Sequence, residues 1–295
     1  MLSSPGWLLI VVGALLGLYF PLGRLAREAG VPPLVWAALI SVGAAALLLG
    51  YLRVRDRPMP LTPRILRYFA VTGVISYAVP NTIIFSAIPH LGSGLTALFL
   101  TLSPLMTVAL ARLAGLAAPS RLEYAGIAFG FAGAALVSLG RGQIGAPAAI
   151  GWVLLGLLLP LTLAVGNVYR TLDWPEGIDV AWLAAGSHIV AAALLGAACA
   201  AAGASPATLL AAPWLSAGQA LTAAVMILLF FRLQVIAGPV TVSQVGTVAA
   251  GVGILIGALA FGERYALVVW AGVAAIGAGL ALTILARRRL GNTAA

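Results

Sequence analysis

Apolar residues run through this chain in long blocks, separated by short clusters of arginine, proline and glycine. A helix needs about 20 residues to cross a hydrocarbon core of about 30 Å. The two longest uncharged runs, 68–111 and 180–231, are therefore each expected to hold two helices, divided at Pro89 to Gly92 and near Gly203 to Pro206. The pattern predicts ten transmembrane helices, at 5–24, 33–52, 66–88, 92–113, 121–140, 149–171, 179–202, 214–236, 239–261 and 265–287.

These runs lack the period-two alternation of a membrane β-barrel strand, and a buried backbone in lipid must satisfy its own hydrogen bonds. The predicted fold class is therefore an all-α integral membrane protein. The composition agrees, because 62% of the 295 residues are hydrophobic and only 8% are charged.

The chain also matches itself at an offset of 146 residues. Trp36–Gly50 and Trp182–Gly196 share 8 of 15 positions, and Ala125–Arg141 and Ala271–Arg287 share 9 of 17. Five helices per half is an odd number, so the second half is expected to enter the membrane from the opposite side. The sequence thus predicts two inverted five-helix repeats, at 1–145 and 146–295, around a central cavity where a solute binds near the bilayer midplane.

Orientation follows from the arginines, since the chain has no lysine. Twelve of the 16 arginines fall on the side of the amino terminus and four on the other, which places both termini in the cytoplasm. Arg24 and Arg170 are expected to mark helix ends. Arg232, inside the eighth predicted helix, either snorkels to the interface or meets a substrate carboxylate near an inner gate. The excess of arginine on the cytoplasmic side accounts for the net charge of +9. Nucleic acid is therefore not expected as a partner.

Proline inside a membrane helix frees a carbonyl group and bends the helix. Pro80, Pro104 and Pro160 fall inside the third, fourth and sixth predicted helices and are the expected gating or kink residues. Polar side chains on the same or facing helices are the candidate substrate-binding residues, although interhelical hydrogen bonding is the alternative role for each of them. The candidates are Tyr19, Tyr77, Asn81, Thr101, Ser103, Thr162, Asn167 and Gln244.

Acidic residues are absent from the middle of every predicted helix, where proton-coupled pumps usually place one. His188 lies in the middle of the seventh predicted helix and is expected to pack rather than to relay protons. These features favour a facilitator or uniporter. The sequence shows no catalytic motif, no cluster of metal ligands and no phosphate-binding loop, so neither an enzyme activity, a metal nor a cofactor is expected.

Residues Gly92 to Leu113, with the run Thr-Leu-Ser-Pro-Leu, and residues Phe261-Gly-Glu-Arg264 before a glycine-rich last helix resemble EamA-type members of the drug/metabolite transporter superfamily. This resemblance implies a multi-pass carrier of the bacterial inner membrane that works by alternating access. It also implies a cavity lined by the first, third, fourth, sixth, eighth and ninth helices. Ala117 and Ala250 depart from the motif at the positions that match Glu263 and Pro104.

Within that superfamily, a cavity with tyrosine, asparagine, glutamine and threonine but no acid suits a small neutral amphiphilic solute. The YddG-like exporters of aromatic and other amino acids are the preferred branch. The alternatives are a multidrug carrier, a nucleotide-sugar carrier and a channel. The nucleotide-sugar carrier is the weaker alternative, because Arg232 is the only cation expected within a span to bind phosphate. The expected partners are a small-molecule substrate and membrane lipid, and the expected assembly is a monomer or homodimer.

Overall fold

The computed structural model describes residues 4–56, 61–83, 99, 101–116, 119–140, 150–262 and 264–293. In these residues the regular structure is helical, without a strand. The helices are α1 Pro5–Gly17, α2 Tyr19–Glu28, α3 Pro33–Val54, α4 Pro63–Thr72, α5 Ser103–Leu113, α6 Arg121–Gly140, α7 Ile150–Leu172, α8 Val180–Ala201, α9 Pro213–Ser243, α10 Val245–Phe261 and α11 Leu267–Thr293.

Six segments of the described chain are long and apolar enough to cross a membrane, namely Pro5–Glu28, Pro33–Val54, Leu154–Leu172, Val180–Ala201, Pro213–Ser243 and Leu267–Ala286. Two shorter apolar helices, Ser103–Leu113 and Val245–Phe261, accompany them. The prediction of an all-helical, multi-pass membrane protein is confirmed at this level.

Many helix ends lie within about three residues of the sequence pattern. Larger differences are found at the ends of α2 (Glu28 against 24), α9 (Ser243 against 236) and α11 (Thr293 against 287) and at the start of α10 (Val245 against 239). The first predicted helix is interrupted at Leu18, so that α2 begins at Tyr19. The boundary predicted at 237–238 appears inside α9, where Gly238 has φ 72° and ψ 179°, a conformation open almost only to glycine. The predicted divider at Pro89 to Gly92 lies outside the described residues, as do Ala117 and Glu263.

Each predicted proline position has its own local geometry. Pro80 follows a π-helical turn, Gly73–Ala78, that continues α4, and Val79 there donates to the carbonyl of Val74. Proline has no N–H and so cannot donate the hydrogen bond that an α-helix requires at its position. A π-helical turn before the proline is one way in which a helix adapts to this missing bond. Pro104 opens α5 just after a break at Leu102, and Pro160 lies inside α7.

Two pairs of helices that the 146-residue offset makes equivalent pack against each other, α3 with α8 and α6 with α11. The second contact is the closer one, because glycines remove the side chains between the two backbones. A Cβ atom on Gly126 would lie 2.7 Å from the carbonyl oxygen of Gly279, and one on Gly133 would lie 2.5 Å from that of Gly272. The backbones therefore touch directly.

These glycine contacts are reciprocal. The offset maps Gly126 onto Gly272 and Gly133 onto Gly279, so each glycine meets the equivalent of the other one. Contacts of this kind are typical of elements related by a two-fold axis. The residue numbers rise along α6 as they fall along α11, so the two equivalent helices run antiparallel where they meet.

One ion-pair cluster joins the start of α4 to the end of α7. Arg67 Nη2 donates to both carboxylate oxygens of Asp173 at 3.0 Å, Arg64 Nε lies 3.7 Å from Oδ1, and the Tyr169 hydroxyl donates to Oδ2 at 2.7 Å. Partial burial raises the pKa of Asp173, but the hydrogen bonds from Tyr169 and Arg67 and the two arginine charges outweigh it. The net effect is a pKa below the ordinary value.

We expect Asp173→Asn to lower the unfolding free energy by at most about 1 kcal/mol, because the arginines are solvent-exposed. A lowered folded-state pKa means that the carboxylate stabilises the protein above about pH 4 and that this contribution disappears as the pH falls through the folded pKa. Thermal unfolding between pH 7 and pH 3 measures this, with Glu28→Gln in the exposed Arg24–Glu28 pair as the control. An Asp173→Asn profile that is identical to wild type would contradict the assignment.

Candidate functional site

The largest buried polar group in the described chain is centred on Arg170, in the last full turn of α7. Only 1% of this residue is exposed. The sequence predicted that Arg170 marks a helix end, and the residue does lie in the last turn of α7. Its guanidinium nevertheless turns into the protein, which the sequence did not predict. Arg170 is therefore a buried cation within a membrane-spanning helix.

Three helical segments supply the neighbours of this guanidinium. Arg170 Nη1 donates to the Ser76 hydroxyl in the π-helical turn, and Nη2 donates to Asn167 Oδ1 at 2.5 Å and more weakly to Gln234 Oε1 at 3.4 Å. The Arg170 Cζ atom lies 5.1 Å from the ring centre of Phe230 and 6.0 Å from that of Phe231. The group thus bridges residues from both halves of the chain.

Secondary hydrogen bonds fix the amides in this group. Gln234 Nε2 donates to the Thr171 hydroxyl at 2.7 Å and to the Asn167 carbonyl oxygen at 3.1 Å. Asn167 Nδ2 donates to the Thr107 hydroxyl of α5 at 3.3 Å. Because both amides give their N–H groups to other partners, their oxygens are held towards the arginine.

A second group adjoins the first. The ring of Tyr77 lies against the imidazole of His188 with centroids 4.1 Å apart, and His188 Nδ1 lies 3.3 Å from the Ser41 hydroxyl. Tyr77 directly follows Ser76, a partner of Arg170, and Tyr19 and Tyr77 pack against the same apolar core. We call Tyr19, Ser41, Ser76, Tyr77, Asn167, Arg170, His188 and Gln234 the central polar site.

Several polar atoms of this site are buried yet make no hydrogen bond in the described part of the chain. They are the hydroxyls of Tyr19 and Tyr77, Nε2 of His188 and Nε of Arg170. A buried polar atom without a partner costs about 1–3 kcal/mol. Four such atoms in one region indicate a place where water or a solute completes the hydrogen bonding.

Of the sequence-predicted site residues, Asn167 accepts from Arg170, Tyr77 adjoins the Arg170 partner Ser76, and Tyr19 packs against the same apolar core as Tyr77. Asn81 is half-buried one turn beyond Tyr77, and Thr101 and Ser103 are buried around the start of α5. The Thr162 hydroxyl donates to the carbonyl of Leu159 at 2.9 Å, so its own helix already satisfies it.

Gln244 lies in a different place, at the junction of α9 and α10. Its Oε1 accepts from the Thr283 hydroxyl at 2.8 Å, while its Nε2 is buried without a partner among the described residues. A cavity of about 10 Å³ beside it holds at most one water molecule, and its lining includes Pro104, Gly126, Thr247 and Gly279.

Sequence reasoning missed Arg170, Ser76 and Gln234 as parts of the site and assigned His188 to packing. One signal was available, because Asn167 and Arg170 are three residues apart on a helix and therefore share a face. Gln234 gave a weaker one, since it and Arg232 are the only polar residues between 224 and 237. Arg232 itself is exposed, as its snorkelling alternative required.

Comparison with solved structures concerns the fold. A solved crystal structure matches 95% of this chain and 98% of its own, with a TM-score of 0.73 and 19% sequence identity, which shows the fold alone. The chain therefore adopts the fold of a structurally known helical protein over nearly its whole length.

Sequence comparison finds a similar family and similar proteins. The model of the EamA-like transporter family matches residues 4–139. The uncharacterized inner membrane transporter YedA of Escherichia coli K12 is 31% identical over 199 residues, and YedA of strains O6:H1 and O157:H7 matches equally well. The match covers 64% of this chain and 63% of the relatives' length. The first half of the chain is thus similar to the EamA-like transporter family, and 64% of the chain is similar to YedA.

Proposed function

We propose that the protein is a carrier of the bacterial inner membrane that exports small neutral amphiphilic solutes, including aromatic amino acids, by facilitated alternating access. The central polar site is the observation on which this proposal depends. Tyr19, Ser76 and Tyr77 come from the first half of the chain and Asn167, Arg170 and His188 from the second, so the site lies between the two halves. Carriers built from inverted repeats place their solute there.

The proposed architecture is ten transmembrane helices in two inverted five-helix repeats, 1–145 and 146–295, with both termini in the cytoplasm. The reciprocal, antiparallel glycine contacts between α6 and α11 support it, as does the packing of α3 on the equivalent α8. The name of the matched family and the printed name of YedA, an inner membrane transporter, support the carrier function.

Aromatic amino acids suit the site for a physical reason. The ring of Tyr77 lies against His188 and the ring of Phe230 lies by the Arg170 guanidinium, so ring surface that could pack against an aromatic side chain adjoins two of the unpaired polar atoms. An amphiphilic solute needs a buried site that offers both polar groups and apolar surface. Its polar end needs hydrogen-bond partners, and its apolar end does not.

Counterflow in proteoliposomes tests this function. Liposomes that contain the purified protein and are loaded with unlabelled L-phenylalanine or L-leucine are expected to take up the labelled amino acid faster than unloaded ones, with saturable kinetics. Protein-free liposomes are the control. The absence of uptake for every aromatic and aliphatic amino acid would contradict the proposed substrate class, and linear, unsaturable flux would indicate a channel.

A further inference from the structure

The charge of Arg170 has no acidic counterpart in the described residues. All its hydrogen-bond acceptors are neutral, namely Ser76, Asn167 and Gln234. The nearest acid along the chain, Asp173, is already paired with Arg67 and Arg64 and with the hydroxyl of Tyr169. A buried charge is costly unless another charge pairs with it, and ionisable groups inside membranes usually mark solute or ion pathways.

One nitrogen of the Arg170 guanidinium is available for a further hydrogen bond. Each Nη atom has at least one partner, whereas Nε makes no hydrogen bond in the described part of the chain. The Tyr77 hydroxyl likewise makes no hydrogen bond among the described residues, and Tyr77 follows Ser76, the residue that accepts from Arg170 Nη1. An anionic oxygen next to Nε would therefore receive a charge-assisted hydrogen bond from the arginine, and the Tyr77 hydroxyl is the candidate second donor.

We propose that Arg170, with Tyr77, binds the carboxylate group of the transported solute. One guanidinium balances one negative charge, and in the described chain the other arginine of this region, Arg232 on α9, is exposed. A carboxylate carries one charge, whereas a phosphate monoester near neutral pH carries about −1.5 to −2. This inference rests on the proposed function and narrows it from neutral solutes in general to zwitterions that carry a carboxylate group.

Ligands that differ only in the carboxylate test the proposal on the unmodified protein. We expect L-phenylalanine, L-leucine and L-threonine to raise the melting temperature of the purified full-length protein in a concentration-dependent way. The corresponding amides should leave the melting temperature unchanged, and so should inorganic phosphate. A role for Arg170 that is only structural predicts no difference between an acid and its amide, so equal effects of acid and amide would overturn the proposal. Stabilisation by phosphate alone, or by none of these compounds, would overturn it as well.

Substitutions provide the second measurement. For an acid that stabilises the wild type, R170Q is expected to raise the half-saturating concentration about 10- to 100-fold, since charge-assisted hydrogen bonds are worth about 1.5–3 kcal/mol. R170K should lie between R170Q and the wild type, because lysine keeps the charge but loses the planar fork. R232Q is the matched control and should bind like the wild type. An R170Q protein that still distinguishes acid from amide would overturn the assignment.

These outcomes separate the binding site from the transport function. If acids stabilise the protein through Arg170 but proteoliposomes show no flux, the carboxylate site remains and the carrier function is wrong. If acids and amides are transported equally well and R170Q has no effect on either, the carrier function remains and the carboxylate site is wrong.

Discussion

Gly133→Ala is expected to lower the unfolding free energy by about 1–3 kcal/mol, the usual effect of an extra methyl group at a packed contact. The new Cβ would lie 2.5 Å from the carbonyl oxygen of Gly272 and 2.8 Å from the amide nitrogen of Ile276. Both are backbone atoms of α11, so no side chain can rotate away and the two helices must move apart. Thermal unfolding of the purified protein in detergent measures the effect.

The chain offers a matched control and a reciprocal variant for this prediction. Gly196 lies in the middle of α8 with no atom within 4 Å of an added Cβ, so Gly196→Ala should be neutral or slightly stabilising. Gly272→Ala should destabilise as Gly133→Ala does, and the double variant should fall short of the sum because both methyl groups separate the same helices. If Gly133→Ala behaves like Gly196→Ala, the described α6–α11 contact is wrong.

Tyr77→Phe is expected to lower the transport of a carboxylate solute at low concentration about 2- to 12-fold, the effect of one lost hydrogen bond of about 0.5–1.5 kcal/mol. The variant keeps the ring that packs on His188 and removes only the hydroxyl, which has no partner in the described chain. Removing an unsatisfied buried hydroxyl should leave the melting temperature unchanged or raise it. Transport and stability are thus expected to respond differently.

Tyr51→Phe is the control for that variant. Tyr51 lies on the exposed surface of α3, where its ring contacts Arg55, and phenylalanine preserves this contact. Transport by Tyr51→Phe should equal that of the wild type. Normal transport by Tyr77→Phe would show that the hydroxyl does not contact the solute, whereas a loss of stability together with transport would indicate a packing role.

Most of the fold could be predicted from the sequence because lipid imposes a simple rule: an apolar run of about 20 residues becomes a helix. That rule located α3, α6 and α8 to within about two residues. The break at Leu18 was missed although Pro21 marks it, because proline has no N–H to donate to the carbonyl of Gly17, four residues earlier. The contact of Gly133 with Gly272 depends on how two helices dock, and glycine spacing alone indicates close packing without naming the partner.

The site was predicted less completely, for two physical reasons. Proline positions drew attention to Tyr77, which the structure places against His188, but a position on a kinked helix does not determine which side chains meet across helices. Arginine near a predicted helix end is usually interfacial, so Arg170 was grouped with the orientation signals. Its inward direction depends on Ser76 and Gln234, which lie 94 and 64 residues away in the chain. Such long-range pairing is not visible in a local pattern.

The proposed inversion of the two halves is tested most directly by labelling two equivalent positions from outside the cell. Leu61 and Ala207 are both exposed and are related by the 146-residue offset, and the buried Cys199 can be replaced by alanine beforehand. An impermeant thiol reagent applied to intact cells should label Ala207→Cys at once and Leu61→Cys only after the membrane is permeabilised. Labelling of both positions from the same face would contradict the inverted repeat, and with it the site between opposed halves.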